Sequence, residues 1–201
     1  MNSRRNTKEE IIDVALELFS INGFDATSLS DISSELSITK AALFKHFSSK
    51  DEILSSVIKM MDEEDRKRAE EMNVPVSLKV EDEKAYRNVK KNDFLFFALS
   101  QFDYWTENKR AVEYRRFLSL ERFVRDDLKI KWDENFVSGP LSYTKDVLES
   151  LGLENYERKA MRLWSLMFLS YSLYDRGDDR ETLKETLKEE ISEILEVKNE
   201  I

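Results

Sequence analysis

Apolar positions recur along this chain at intervals of three and four residues with polar residues between them, which is the period of helices rather than strands. In the first run, Ile11, Ile12, Ala15, Leu16, Leu18 and Phe19 share one face. Ahead of it, Thr7 and Glu10 have the spacing of a capping box, in which hydroxyl and carboxylate satisfy the free N–H groups of a helix start. Asn22-Gly23 ends the run, since glycine takes the left-handed conformation that closes helices. Ser28, with Asp31 three residues later, opens a second short helix whose inward face is Leu29, Ile32 and Leu36. Ser37-Ile38-Thr39 forms a turn, and Thr39 caps a third helix running to Phe47. Ser49 and Glu52 cap a fourth that reaches about Met72.

Further on, Val74-Pro75 breaks the pattern and residues 79–83 form a charged connector. Helices are predicted over 83–104, 108–127, 129–151 (interrupted at Gly139-Pro140), 156–176 and 180–198. Gly152 and Gly177 fall in the breaks, where helix ends favour glycine. No run alternates as a strand would. The pattern predicts an all-α chain: an N-terminal three-helix unit over 5–65, with a helix-turn-helix at about 28–47, and a larger C-terminal helical bundle over 66–201, about nine helices in all.

The third helix carries the chemistry. At about 100° per residue, Leu43 and Phe47 lie on one face and must pack inward, whereas Ala41, Ala42 and Lys45 point outward with Phe44 and His46 on the flanks. Two alanines keep the outer surface low, so the backbone can approach base edges and a methyl can meet a thymine methyl. Lys45 can donate to a guanine edge or a phosphate, while Lys40 and Lys50 are better placed for the phosphate backbone. Thr27, Ser28 and Thr39 stand at the starts of short helices, where side chains and N–H groups contact phosphates. Arg4, Arg5 and Lys8 form a basic arm ahead of the first helix. Periodicity alone leaves a plain helical hairpin open as an alternative.

The landmarks ALELF, NGF-DATS, Asp31-Ile32, Ile38-Thr-Lys, Leu43-Phe44, Phe47 and Ser-Lys-Asp-Glu, spread over residues 11–58, resemble the DNA-binding domain of the TetR family of bacterial transcriptional regulators. The resemblance implies a homodimer whose first three helices bind double-stranded DNA at a near-palindromic operator. It further implies that the C-terminal domain binds a small effector and that the last two helices build the dimer interface. A ligand-released repressor is the expected function, and the cytoplasm the expected location. The chain departs from the family at three places. Glu35-Leu36-Ser37 stands where small residues and a glycine are usual, which predicts a left-handed Ser37. Phe44 replaces a tyrosine whose hydroxyl meets a phosphate, and Ala41 replaces a glycine.

Charge and composition narrow the partners. The formal net charge is −9, but residues 1–50 carry six basic and seven acidic side chains, so the deficit lies mostly beyond them. That balance argues against a sequence-blind DNA binder and leaves room for a specific one with a local basic patch. There is no cysteine and one histidine, His46, and neither a glycine-rich phosphate loop nor a paired-carboxylate motif stands out. These absences argue against a metal, a cofactor and an enzyme. The apolar run near residues 94–102 is too short to span a bilayer.

Eighteen of the 22 aromatic residues lie after position 80, which places an apolar or aromatic effector ahead of a sugar or a metal. Phe94, Phe97, Trp105, Phe117, Trp132, Phe136 and Trp164 are the candidate pocket walls, with ordinary core as the competing role. In the last two helices, Phe168, Tyr171, Leu187, Ile191 and Ile194 are candidate dimer contacts, because the preceding helix is apolar around more of its circumference than one core requires. A carrier of hydrophobic molecules with a vestigial helix-turn-helix is the competing class.

Overall fold

A computed structural model describes residues 7–71 and 89–197, apart from the side chains at 69 and 70. Arg4, Arg5, the Val74-Pro75 break, the 79–83 connector, the expected helix start at 83 and the expected helical end at 198 lie outside the described residues. Ten helices run through the described part: α1 Thr7–Asn22, α2 Leu29–Glu35, α3 Lys40–Leu43, α4 Lys50–Glu71, α5 Lys91–Glu107, α6 Lys109–Glu121, α7 Asp126–Phe136, α8 Ser138–Ser150, α9 Tyr156–Arg176 and α10 Arg180–Leu195. No strand occurs among them.

Two boundaries differ from the expectation. The helix expected over 108–127 stops at Glu121: the N–H groups of Val124 and Arg125 both donate to the Glu121 carbonyl, at 2.9 and 3.0 Å, and turn the chain. No glycine or proline marks the spot; the signal is Asp126-Asp127, acidic residues suited to the first turn of the next helix. The break expected at Gly139-Pro140 falls instead at Val137, so that Pro140 sits in the first turn of α8, where its missing N–H costs nothing. Gly139 allows this junction. A Cβ there would stand 1.9 Å from the carbonyl oxygen of Glu134.

Contacts divide the chain into two compact units, one comprising residues 1–68 with 109–131, the other 69–108 with 132–201. Packing therefore does not follow chain order, since α6 is built into the amino-terminal unit. In that unit α1 packs along α6, α2 on α1, and α3 on α2. Ile11, Ala15, Leu16, Phe19, Ile32, Leu43, Phe47, Ile53, Val57, Phe117 and Leu118 supply its buried core. Phe19 packs its ring against that of Phe117, tilted, with centroids 5.5 Å apart. Beside the core, Arg110 of α6 reaches Asp13 of α1 through two nitrogens, at 2.7 and 3.0 Å, and Glu64 of α4 through a third at 2.7 Å. The Asp13 hydrogen bond, ahead of the Glu64 one, raises the already high guanidinium pKa.

In the second unit α10 packs on α5 and α9, and α9 on α8. Asp103 of α5 ties in α10, accepting from Arg180 and Lys184 at 2.7 Å each. None of the helices described is long and apolar enough to cross a membrane.

Candidate nucleic-acid interface

Local rules build the helix-turn-helix almost residue by residue. Ser28 caps α2: its Oγ accepts from the Asp31 N–H at 3.2 Å, while Asp31 Oδ2 accepts from the Ser28 N–H at 2.7 Å. Hydrogen bonding to Ser28, its side chain first and then its backbone, holds the Asp31 carboxyl below the ordinary aspartate range. After α2 the chain reverses at Ser37, which adopts the left-handed φ of 54° that its place in the turn predicts. Thr39 then caps α3 by accepting from the Ala42 N–H at 3.1 Å.

The α-helical part of the expected 39–47 helix is a single turn. Beyond Leu43 the Lys45 N–H donates to the Ala42 carbonyl at 3.2 Å and the His46 N–H to the Leu43 carbonyl at 2.9 Å. This i→i−3 pattern winds at nearer three residues per turn, which brings residues three apart into line. Leu43 and Phe47 remain anchored, both fully buried. Lys40, Ala41, Phe44 and Lys45 are exposed, and Ala42 and His46 half-buried. A low surface bearing two methyls, one exposed ring and two cations thus faces outward, with an aliphatic and an aromatic anchor behind it.

The remaining predicted DNA contacts separate by what their polar atoms already do. Thr27 is buried, and its hydroxyl donates to the Gly23 carbonyl at 2.9 Å, so its side chain cannot also reach a phosphate. Lys50, expected on the phosphate backbone, instead donates to the carbonyls of Phe24 and Thr27 at 2.5 and 2.7 Å and lies 4.2 Å from the centre of the Phe24 ring. With the Asp25 carbonyl at 3.4 Å as a third acceptor, its ammonium is committed to the α1–α2 loop, because three converging carbonyls outcompete solvent for a lysine head. Thr39 and Ser28 are exposed but serve as caps. Next to them Glu52 accepts from the backbone N–H and hydroxyl of Ser48, which, in that order, hold its carboxyl below the usual glutamate range.

Sequence reasoning missed the other holders of that loop. Glu121 accepts from the Phe24 N–H at 2.7 Å, and the Arg125 guanidinium lies 4.5 Å from the Phe24 ring while pairing with Asp51 at 3.5 Å. Ninety-seven positions separate Glu121 from Phe24; no local pattern could have joined them.

Two expectations for the C-terminal half need correction. Phe117, expected on a pocket wall, belongs to the core of the amino-terminal unit, against Phe19; α6 returns to α1, which the chain order concealed. Tyr171, Leu187, Ile191 and Ile194 are buried within their own subunit, because the α10 stripe is consumed by α5 and α9. A side chain without solvent exposure has no surface to offer a partner. Phe168 is half-buried. Of the other pocket candidates, the Trp105 and Trp132 rings lie 4.7 and 4.9 Å from Phe136 and Trp164 Nε1 donates to the Phe136 carbonyl at 2.9 Å, while Phe94 and Phe97 stack on each other at 6.3 Å. No group of three or more His, Cys, Asp or Glu side chains placed to hold a metal occurs among the described residues.

A capped helix pair with an exposed outer face over buried anchors is the helix-turn-helix class of nucleic-acid-binding domain. Residues 11–57 match the family model described as bacterial regulatory proteins, tetR family. The segment is 50% identical over 46 residues to the biofilm operon icaADBC negative transcriptional regulator IcaR of Staphylococcus epidermidis, covering 23% of this chain and 25% of that protein. Against its Staphylococcus aureus counterpart it is 46% identical over 52 residues, 26% of this chain and 28% of the relative. The chain thus matches about a quarter of the length of these curated relatives. The fold extends the likeness over the whole chain: a TetR transcriptional regulator from Legionella pneumophila superposes with a TM-score of 0.66 at 23% identity, covering 96% of this chain and 98% of that one.

Proposed function

We propose that this chain is a homodimeric, sequence-specific DNA-binding transcriptional regulator acting in the cytoplasm as a repressor that a small apolar or aromatic effector releases from a near-palindromic operator. One observation carries the reading: the exposed surface of Lys40, Ala41, Phe44 and Lys45, with half-buried Ala42 among them, over the buried anchors Leu43 and Phe47. That surface has the relief and chemistry a major groove accepts. Repression is supported by the negative regulators that share the domain. Of the predicted contacts, Lys40, Ala41, Ala42, Phe44, Lys45 and His46 reach the groove or its phosphates, and Ser28 and Thr39 act through their caps.

The ring cluster of Trp105, Trp132, Phe136 and Trp164 supports an apolar or aromatic effector, because space opened among aromatic walls favours flat hydrophobic ligands. For the dimer, the outward face of α9 replaces the α10 stripe. Met161 and Leu169 are 53% and 54% exposed there, beside half-buried Phe168. Apolar side chains on an outer helix face suit an isologous two-fold contact. A release mechanism requires that the effector bind the DNA-incompetent spacing of the two reading heads more tightly than the competent one.

The test is selection of bound sequences from random duplexes by the full-length chain. Recovery of a two-fold-related motif with half-sites about one helical turn apart is expected. Sequences no different from the input pool would rule the reading out.

A further inference from the structure

Glu121 closes α6, yet its carboxylate is turned inward and is 5% exposed. Its Oε1 accepts from the Phe24 N–H at 2.7 Å. That donor exists because of how α1 ends: Gly23, at φ +80°, donates its own N–H back to the Phe19 carbonyl, and the next N–H has no partner within the helix. Gly23 also makes the room. A Cβ at that position would lie 2.8 Å from the same Glu121 oxygen. An apolar residue would pack α6 on α1 at lower desolvation cost, as Phe117 does one turn earlier, so a buried carboxylate here is expensive unless its hydrogen bond matters.

The bond sits at a strategic place. Residues 24–27 lead directly into Ser28, the cap of α2, and the Thr27 and Phe24 carbonyls are the ones Lys50 holds from α4. Arg125, just past the end of α6, covers the Phe24 ring. The start of α2 is therefore set by α6 on one side and α4 on the other, and α3 packs on α2.

We propose that Glu121 is a positioning residue for the reading head: by holding the Phe24 amide it fixes the origin of α2, and so the set of α2 and α3 against α6. DNA affinity then depends on a side chain that does not touch DNA. This role rests on the DNA-binding reading above.

Three full-length variants test it, with two readouts: affinity for the duplex that the wild-type chain selects, and hydrogen exchange of the Phe24 amide. Glu121→Ala removes the acceptor; Phe24 exchange should accelerate and affinity fall by about tenfold each, the equivalent of one lost buried hydrogen bond. Glu121→Gln keeps an acceptor oxygen at the same reach and should stay within about threefold of wild type on both readouts. Should Glu121→Ala not fold, Glu121→Asp, one methylene too short, takes its place with the same expectation. Faster exchange with undiminished affinity overturns the positioning role. Unchanged exchange in the Ala or Asp variant overturns the bond itself, and a Gln variant as weak as Ala overturns the acceptor as the cause. A wild-type chain that selects no duplex sinks the regulator reading together with this role, whereas wild-type-like binding by Glu121→Ala sinks this role alone.

Discussion

Lys45 and Lys50 sit five positions apart in the helix-turn-helix and its exit, and they should fail in opposite ways when shortened to alanine. Lys45 is exposed and, among the described residues, its ammonium has no partner from its own chain. Its removal should leave thermal unfolding unchanged. In a dimer each duplex loses two ammonium–phosphate contacts, and each contact contributes a slope of about 0.9 to the plot of log affinity against log salt. Lys45→Ala should flatten that plot by about 1.8, so a fourfold rise in salt should narrow the gap between wild type and variant by about 12-fold. Titration of a labelled operator at 50, 100 and 200 mM salt, each concentration being about a doubling within the range where the relation is linear, reads it directly. If Lys45 instead meets a guanine edge, the loss will be confined to the preferred sequence and the nonspecific slope will be unmoved. Parallel salt plots with equal affinity on both selected and random duplexes would refute the orientation of α3 argued here. Lys50→Ala should lose the clamp on Phe24 and Thr27 and lower unfolding stability, by about 1–3 kcal/mol for hydrogen bonds to a charged group.

Three further outcomes follow from particular residues. Ser37 at φ 54° bears the steric penalty of the left-handed region, so Ser37→Gly should raise the unfolding free energy from urea titration by about 0.5–1 kcal/mol; a lower value would show that the hydroxyl, not the backbone, governs the turn. Phe44 is 47% exposed, and Phe44→Tyr should tighten operator binding roughly 2- to 10-fold by adding a phosphate donor, measured by the same titration; weaker binding would place the ring elsewhere than on the backbone. Ile191→Ala should cost about 2–5 kcal/mol at every protein concentration because its side chain is core, whereas Leu169→Asp should lower the dimer fraction in sedimentation without unfolding the subunit. The reverse pattern would return the interface to α10.

The amino-terminal domain was readable because its rules are local. Ser28 with Asp31, Thr39 with Ala42, and the left-handed Ser37 each depend on residues within three positions. The inward pair Leu43 and Phe47 follows from a single helical turn. What could not be read depends on return of the chain. Nothing near Phe117 says that its partner is Phe19, and nothing near Glu121 says that it will meet Phe24. The apolar stripe of α10 was real, but a stripe says only that something covers it; whether that cover is α5 and α9 or a second subunit is decided by tertiary packing. Likewise Lys50 reads as a free cation in sequence and as a loop clamp in three dimensions. The winding of α3 into a tighter turn after Leu43 escaped for another reason: a four-residue helix lies below the length at which period alone separates the two geometries.

The shortness of α3 has an evolutionary corollary. Its two anchors carry the packing, while Lys40, Ala41, Phe44 and Lys45 contribute little to the stability of the fold. Substitutions at such solvent-facing positions typically shift folding free energy by less than about 0.5 kcal/mol. In the DNA-binding reading, new target preferences are therefore accessible by single mutations that leave the protein foldable.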